Sequence, residues 1–202
     1  VVHDLREEAE TLLNIVDACK EVGTEDNFSD FTSTSKITFP GAGISAIAAS
    51  PKNIAMIKDR LKSQTISYDK MNQLRHVKYF KNADGIKAHM KKHAELLAPK
   101  FNIVLETLEK ELKDNDLASW SSPKGGYFIS LDVNHCSAKR VGEICKELGV
   151  VLTTVGATFP YGIDPDDRNI RIAPSYPSTD ELQKAADILC LAVKLATIEA
   201  LV

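Results

Sequence analysis

Apolar positions recur at helical spacing from Glu7 to Val22, where Ala9, Leu12, Leu13, Val16, Ala18 and Cys19 form a stripe that Gly23 ends. Phe28 to Thr32 reads as a strand, and Ile44 to Ala49 as a second short apolar strand closed by Ser50-Pro51. Helical spacing returns over Lys52 to Lys62 and Asp69 to Tyr79, divided by the polar stretch 63–67. From Asp84 to Leu112 the helical pattern is interrupted only by Pro99, which predicts either two collinear helices or one bent helix. The remainder alternates: strand Tyr127 to Val133, helix Ala138 to Leu148, strand Val150 to Val155, strand Asn169 to Ala173 and a terminal helix from Thr179. Ser178 supplies its N-cap, and Asp180-Glu181 place negative charge at its positive end. Helices and strands in this order predict an α/β fold, with no internal repeat.

Composition narrows the class of partner. The 202 residues are 44% hydrophobic and 26% charged, enough to bury a core as one or two structural units. A net charge of -3 with mixed signs gives no basic footprint for nucleic acid. No apolar run reaches the roughly 20 residues of a membrane span, and the first residues lack the plan of a signal peptide. Cys19, Cys136, Cys145 and Cys190 are scattered without a C-x-x-C, so buried thiols in a reducing cytoplasm are expected rather than disulfides or zinc.

The chemistry starts at Ser33-Thr34-Ser35-Lys36, which follows a strand and precedes Phe39-Pro40-Gly41-Ala42-Gly43. A lysine forms a Schiff base with an aldehyde only when its amine is deprotonated and held still, as a strand end backed by a glycine-rich turn can do. The hydroxyls of Ser33 and Ser35 lie beside that amine, where a phosphate would accept their hydrogen bonds. The segment therefore reads as an anchor for pyridoxal phosphate; a polar loop with an ordinary surface lysine is the alternative.

Arg171 sits in the alternating segment Asn169-Ile170-Arg171-Ile172-Ala173, on the face opposite Ile170 and Ile172. From a strand, its planar fork suits a carboxylate; the alternative is a structural ion pair. Arg168 reads as loop charge. His89 and His93 share one helical face but have no third ligand and adjoin Lys91 and Lys92, so solvated surface is expected and no metal site. Asp164, Asp166 and Asp167 fail the calcium-loop pattern, Trp120 and Tyr127 read as core, and Asn72-Gln73-Leu74-Arg75 as a solvated helix face, with a dimer interface as the alternative.

Phe31-Thr32-Ser33-Thr34-Ser35-Lys36-Ile37-Thr38-Phe39-Pro40-Gly41 resembles the cofactor-lysine segment of pyridoxal-phosphate-dependent aminotransferases of class I/II, the fold type I group. Pro123-Lys124-Gly125-Gly126-Tyr127-Phe128 is similar to the family's small-domain strand entry, and Asn169-Ile170-Arg171-Ile172-Ala173-Pro174 to its carboxylate-arginine strand. With Gly156 to Gly162 the resemblance runs the length of the chain, and it is strongest to the aspartate-aminotransferase-like branch. It implies that residues 1–83 are the end of the large cofactor-binding domain, and residues 84–202 a small α+β C-terminal domain entered by a long bent helix.

The implied activity is transfer of an amino group from an amino acid, aspartate or glutamate, to a 2-oxo acid, by a cytoplasmic homodimer using pyridoxal 5'-phosphate. Lys36 would be catalytic, Ser33, Ser35 and Lys36 cofactor-binding, and Arg171 substrate-binding. Family members are about twice this length. Val1-Val2-His3-Asp4-Leu5 resembles the stretch just after their pyridine-facing segment, so the chain reads as a C-terminal portion whose N-terminal half is a needed partner. One departure stands out: many members carry a phosphate-binding arginine seven or eight residues after the lysine, where this chain has Gly43 and Ile44. The other readings are an aminotransferase-like domain of a transcription regulator and a catalytically silent fragment.

Overall fold

A computed structural model describes residues 13–39 and 41–202. The stretch Val1 to Leu5 with His3, the first part of the helix expected from Glu7, and Pro40 lie outside the described residues. The chain divides into two compact units, which among the described residues end and begin at 93 and 94.

The first unit opens with helix α1 (Ile15–Glu21). The expected helix ran back to Glu7, yet Leu13 and Asn14 precede it: the Asn14 side chain accepts the backbone N–H of Val16 and Asp17 and so sets the start. Strands β1 (Ser29–Ser33) and β2 (Ser45–Ala49) pair antiparallel with Ser33 opposite Ser45 and Phe31 opposite Ile47. The loop 34–44 is therefore closed at its base by a ladder. Helix α2 (Pro51–Leu61) starts as its sequence dictates, with Ser50 capping Asn53 and Pro51 in the first turn, where a missing N–H costs nothing. Helix α3 (Lys70–Phe80) is capped by Asp69 and buries one stripe, Asn72, His76 and Phe80, spaced four apart. Two of those three residues are polar.

A tight corner at Lys81 and Asn82 leads into helix α4 (Ala83–Leu112), and a Cβ at Gly85 would collide with the Phe80 carbonyl, so glycine is required there. Pro99 lies inside α4. One helix forms, not two, although the Glu95 carbonyl loses its usual donor.

In the second unit α4 presents Leu97, Phe101, Val104, Leu108 and Leu112 to the core at helical spacing. Strands β3 (Ala118–Trp120), β4 (Ile129–Val133) and β5 (Asn169–Ile172) form an antiparallel sheet in the order β3-β4-β5, with Leu131 opposite Ile170 and Ser130 opposite Arg171. Ile129, Leu131 and Val133 point inward and are fully buried, each contributing roughly 1.5–3 kcal/mol. Helix α5 (Ala138–Glu147) packs on helix α6 (Thr179–Leu201), whose apolar stripe is Leu182, Ala186, Leu189, Val193 and Ala196.

Two differences from the sequence reading have physical causes. Residues 150–155 are not a strand: the Val150 N–H caps α5 through the Cys145 carbonyl, and among the described residues no neighbouring strand pairs with the β-branched run that follows. A strand is a pairing before it is a propensity. Conversely β3 is too short to show alternation, and Trp120 and Tyr127 are half-buried, not core.

Candidate active site

Lys36 lies in the turn that follows β1, exposed, with Ser33 and Ser35 before it. The Ser33 and Ser35 hydroxyls are hydrogen-bonded to each other at 2.6 Å, on the residues just before the lysine. Gly43 returns close behind this turn: a Cβ there would stand 3.3 Å from Ser35 N and 3.4 Å from Thr34 Oγ1. Close approach is thus what Gly43 provides, as its place after the lysine segment suggests.

The turn is braced by side chains to which the sequence reading gave no such role. Thr34 N–H donates to the Ile44 carbonyl at 2.8 Å, and Ile44 N–H donates back to Thr34 Oγ1 at 2.9 Å. Ile37 and Thr38 N–H both reach the Thr34 carbonyl, at 2.9 and 2.8 Å. Buried His76 on α3 faces Thr34 Oγ1 at 3.3 Å and Thr38 Oγ1 at 3.0 Å. Asn72 is buried too, contrary to the solvated face expected of it, and its amide donates to the Ala42 and Gly43 carbonyls at 2.7 and 3.2 Å.

His89 on α4 sits 2.8 Å from the Ile37 carbonyl through Nε2, and that nitrogen is 3.1 Å from His93 Nε2. These histidines are half-buried braces and not the solvated surface expected of them. Burial first, and His89 second, hold His93 below the usual histidine value. Among the described residues no group of three or more His, Cys, Asp or Glu is arranged to hold a metal. Spacing of four in Asn72, His76 and Phe80 and in Thr34 and Thr38 marks faces, but nothing local pairs the one face with the other.

Arg171 belongs to the second unit. On β5 it lies between buried Ile170 and Ile172, half-buried itself, on the opposite face as its alternation predicted. Its guanidinium carbon is 4.5 Å from the centroid of the Phe128 ring. Its Nε is buried and has no hydrogen-bond partner among the described residues. An open cavity of about 150 Å³ beside it is lined also by Thr153, Ile172 and Leu182. Arg168 is no idle loop charge: its Nε donates to the Val133 carbonyl at 2.9 Å and its fork to Asn134 at 2.8 Å. Asp164, likewise, is a turn cap, accepting the N–H of Asp166, Arg168 and Asn169.

A mixed α/β chain with a lysine turn and a strand-borne arginine has the aminotransferase fold: an aspartate transaminase structure from Corynebacterium glutamicum matches with a TM-score of 0.92 at 44% identity, over 98% of this chain and 47% of that one. LysN, an alpha-aminoadipate aminotransferase from Thermus thermophilus complexed with N-(5'-phosphopyridoxyl)-L-leucine, shares the fold at a TM-score of 0.77 and 18% identity, over 99% of this chain and 49% of that one. In sequence, an aspartate aminotransferase of Corynebacterium glutamicum is 44% identical over 198 residues, 98% of this chain and 46% of that protein. The aspartate amino-transferase family model matches residues 1–202, and the chain belongs to that family. It spans about half the length of the curated relatives it matches.

Proposed function

We propose that this chain supplies the cofactor lysine and the carboxylate-binding arginine of a pyridoxal-phosphate-dependent aminotransferase that moves an amino group from aspartate or glutamate to a 2-oxo acid. The observation that carries the reading is the hydroxyl pair of Ser33 and Ser35 beside Lys36, on a strand end braced from behind. That donor set fits the group: two hydroxyls for a phosphate and one amine for an aldehyde. When bound, pyridoxal phosphate supplies a ring that takes up the charge left on a substrate carbon after its proton departs.

Lys36 Nζ would hold the cofactor aldehyde and, as a free amine, would take the proton from the substrate α-carbon and deliver it to the carbon that had been the aldehyde's. Ser33 and Ser35 would donate to the phosphate; with Gly43 and Ile44 where many members have an arginine, main-chain N–H groups and the N-terminal half or a second subunit would supply the rest of its hold. Arg171 holds the substrate α-carboxylate, and its unpartnered buried Nε supports that role, since a guanidinium seeks acceptors for all its donors. Lysine as base and arginine as clamp divide the work between proton transfer and orientation.

The assembly proposed is a cytoplasmic homodimer. Four free thiols support a reducing compartment, and Phe31 and Val77, 70% and 62% exposed, support a further covering surface. The test is borohydride reduction of the cofactor-loaded complete enzyme followed by peptide mapping. A pyridoxyl label on Lys36 is expected; a label on another lysine overturns the assignment.

A further inference from the structure

The buried stripe of α3 carries an imidazole against the lysine turn, and its hydrogens can be assigned. His76 Nδ1 lies 2.8 Å from the Asn72 carbonyl, which can only accept, so Nδ1 bears the hydrogen. In the neutral ring Nε2 is then a lone-pair acceptor. It faces Thr34 Oγ1 and Thr38 Oγ1 at 3.3 and 3.0 Å. The Thr34 oxygen is already an acceptor for Ile44 N–H, so its own hydrogen is available to Nε2. Thr38 has the same nitrogen, the Thr34 carbonyl and Thr34 Oγ1 as acceptors within reach, the last two at 3.1 Å. These threonines are the second residue before Lys36 and the second after it. One buried nitrogen thus latches both sides of the lysine.

We propose that His76 is a positioning residue for Lys36: as the Nδ1–H tautomer its Nε2 lone pair takes a hydroxyl hydrogen from the Thr34–Thr38 pair it faces and fixes the turn from which the amine works. Asn72 completes the latch on the returning limb. Both of its N–H groups are spent on the Ala42 and Gly43 carbonyls while its Oδ1 has no partner among the described residues, so the amide orientation serves the loop. The energetic reason is burial: a 4% exposed imidazole and an 8% exposed amide stay inside only while bonded, and the loop supplies the partners. The inference rests on the proposed role of Lys36 for its functional half and on geometry alone for the latch.

The test compares His76→Asn, which keeps a donor toward Asn72 but loses the acceptor for the threonines, with His76→Gln, whose carbonyl can take the Nε2 place. In the complete protein without cofactor, amide hydrogen exchange at Ile37, Thr38 and Ile44 should quicken at least about tenfold in His76→Asn and stay near the parent rate in His76→Gln, since each lost bond is worth about 1 kcal/mol or more when buried. In the loaded enzyme kcat should fall at least about tenfold in His76→Asn with the donor KM within about twofold, and His76→Gln should recover most of it. Nitrogen-15 NMR of the unmodified protein should show a hydrogen on His76 Nδ1.

An Nε2–H tautomer, or unchanged exchange in His76→Asn, overturns the latch. Faster exchange with unchanged kcat overturns the positioning role. If His76→Asn does not fold, Thr38→Val gives the same readout from the other side of the contact. Failure of the Lys36 assignment shows separately, as a reduced label on another lysine.

Discussion

Arg171 and Phe128 are stacked, guanidinium carbon over ring at 4.5 Å, although one stands on β5 and the other just ahead of β4. A contact of this kind with a ring face uses none of the guanidinium's N–H donors. Arg171→Ala should lower kcat/KM for the amino donor by at least about tenfold, because a charge-assisted hydrogen bond is worth roughly 1.5–3 kcal/mol. Phe128→Leu keeps an apolar neighbour but no ring face, and should raise the donor KM by a smaller factor, about threefold for a contact of roughly 0.5–1 kcal/mol. Steady-state kinetics decide it: unchanged donor parameters in both variants would make Arg171 an ordinary structural residue.

Asp164 predicts a pH-dependent stability. Its carboxylate is buried and accepts three backbone hydrogen bonds, with Asn169 N–H the strongest influence in holding it below the usual aspartate value. Folding therefore favours the charged form. The stabilisation is fully present above the unfolded value and is lost as pH falls through the depressed folded value, below about 4. Asp164→Asn turns an NH2 group toward N–H donors. Its melting temperature should lie below the parent's at neutral pH, and the gap should narrow below pH about 4. A gap independent of pH would contradict the charge-based account.

The parts legible in the sequence are those with a local cause. Ser50-Pro51, Asp69 and Ser178 start helices through their own side chains, and the Ile170, Arg171, Ile172 alternation gave the right faces. The grouping of Lys36 with Ser33 and Ser35 rests on adjacency in the sequence, and the three lie at the end of β1 and in the turn after it. The role of His76 was not readable, because it depends on a loop earlier in the chain, with Thr34 and Thr38 lying 42 and 38 residues before it. The false strand at 150–155 is the same lesson reversed: propensity is local but pairing is not.

Cys19 and Cys136 are half-buried, not buried as expected, but the two buried cysteines, Cys145 and Cys190, should be chemically quiet in the fold. Burial pushes the Cys190 thiol up to about 12 and Cys145 to about 11. At pH 8 a thiol with a value near 11 is only about one part in a thousand thiolate, and the thiolate is the nucleophile. Both should react with an aromatic disulfide reagent at least about a hundredfold more slowly in the native protein than after unfolding. Stoichiometric labelling followed by peptide mapping gives the answer, and rapid native labelling of Cys190 would refute its burial.

The α6 N-terminus is held by a capping box, in which Ser178 Oγ accepts Glu181 N–H and the Glu181 carboxylate accepts Ser178 N–H at 2.9 Å. The Ser178 N–H, then its hydroxyl, hold Glu181 below the usual glutamate value. Just before the cap, Lys100 of α4 donates to the Ser175 and Pro177 carbonyls at 2.8 and 2.6 Å, so the cap and the turn leading into it are fixed together. Fraying here would release Leu182, the first core residue of the α6 stripe. Ser178→Ala should therefore cost about 1 kcal/mol, a melting-temperature loss of about 2–4 °C for a protein of this size. Glu181→Gln retains an acceptor for Ser178 N–H but loses the charge at the positive helix end, and should cost less than Ser178→Ala. Calorimetry on the two variants orders these contributions; an equal or larger loss for Glu181→Gln would mean that charge, and not the serine cap, holds the first turn.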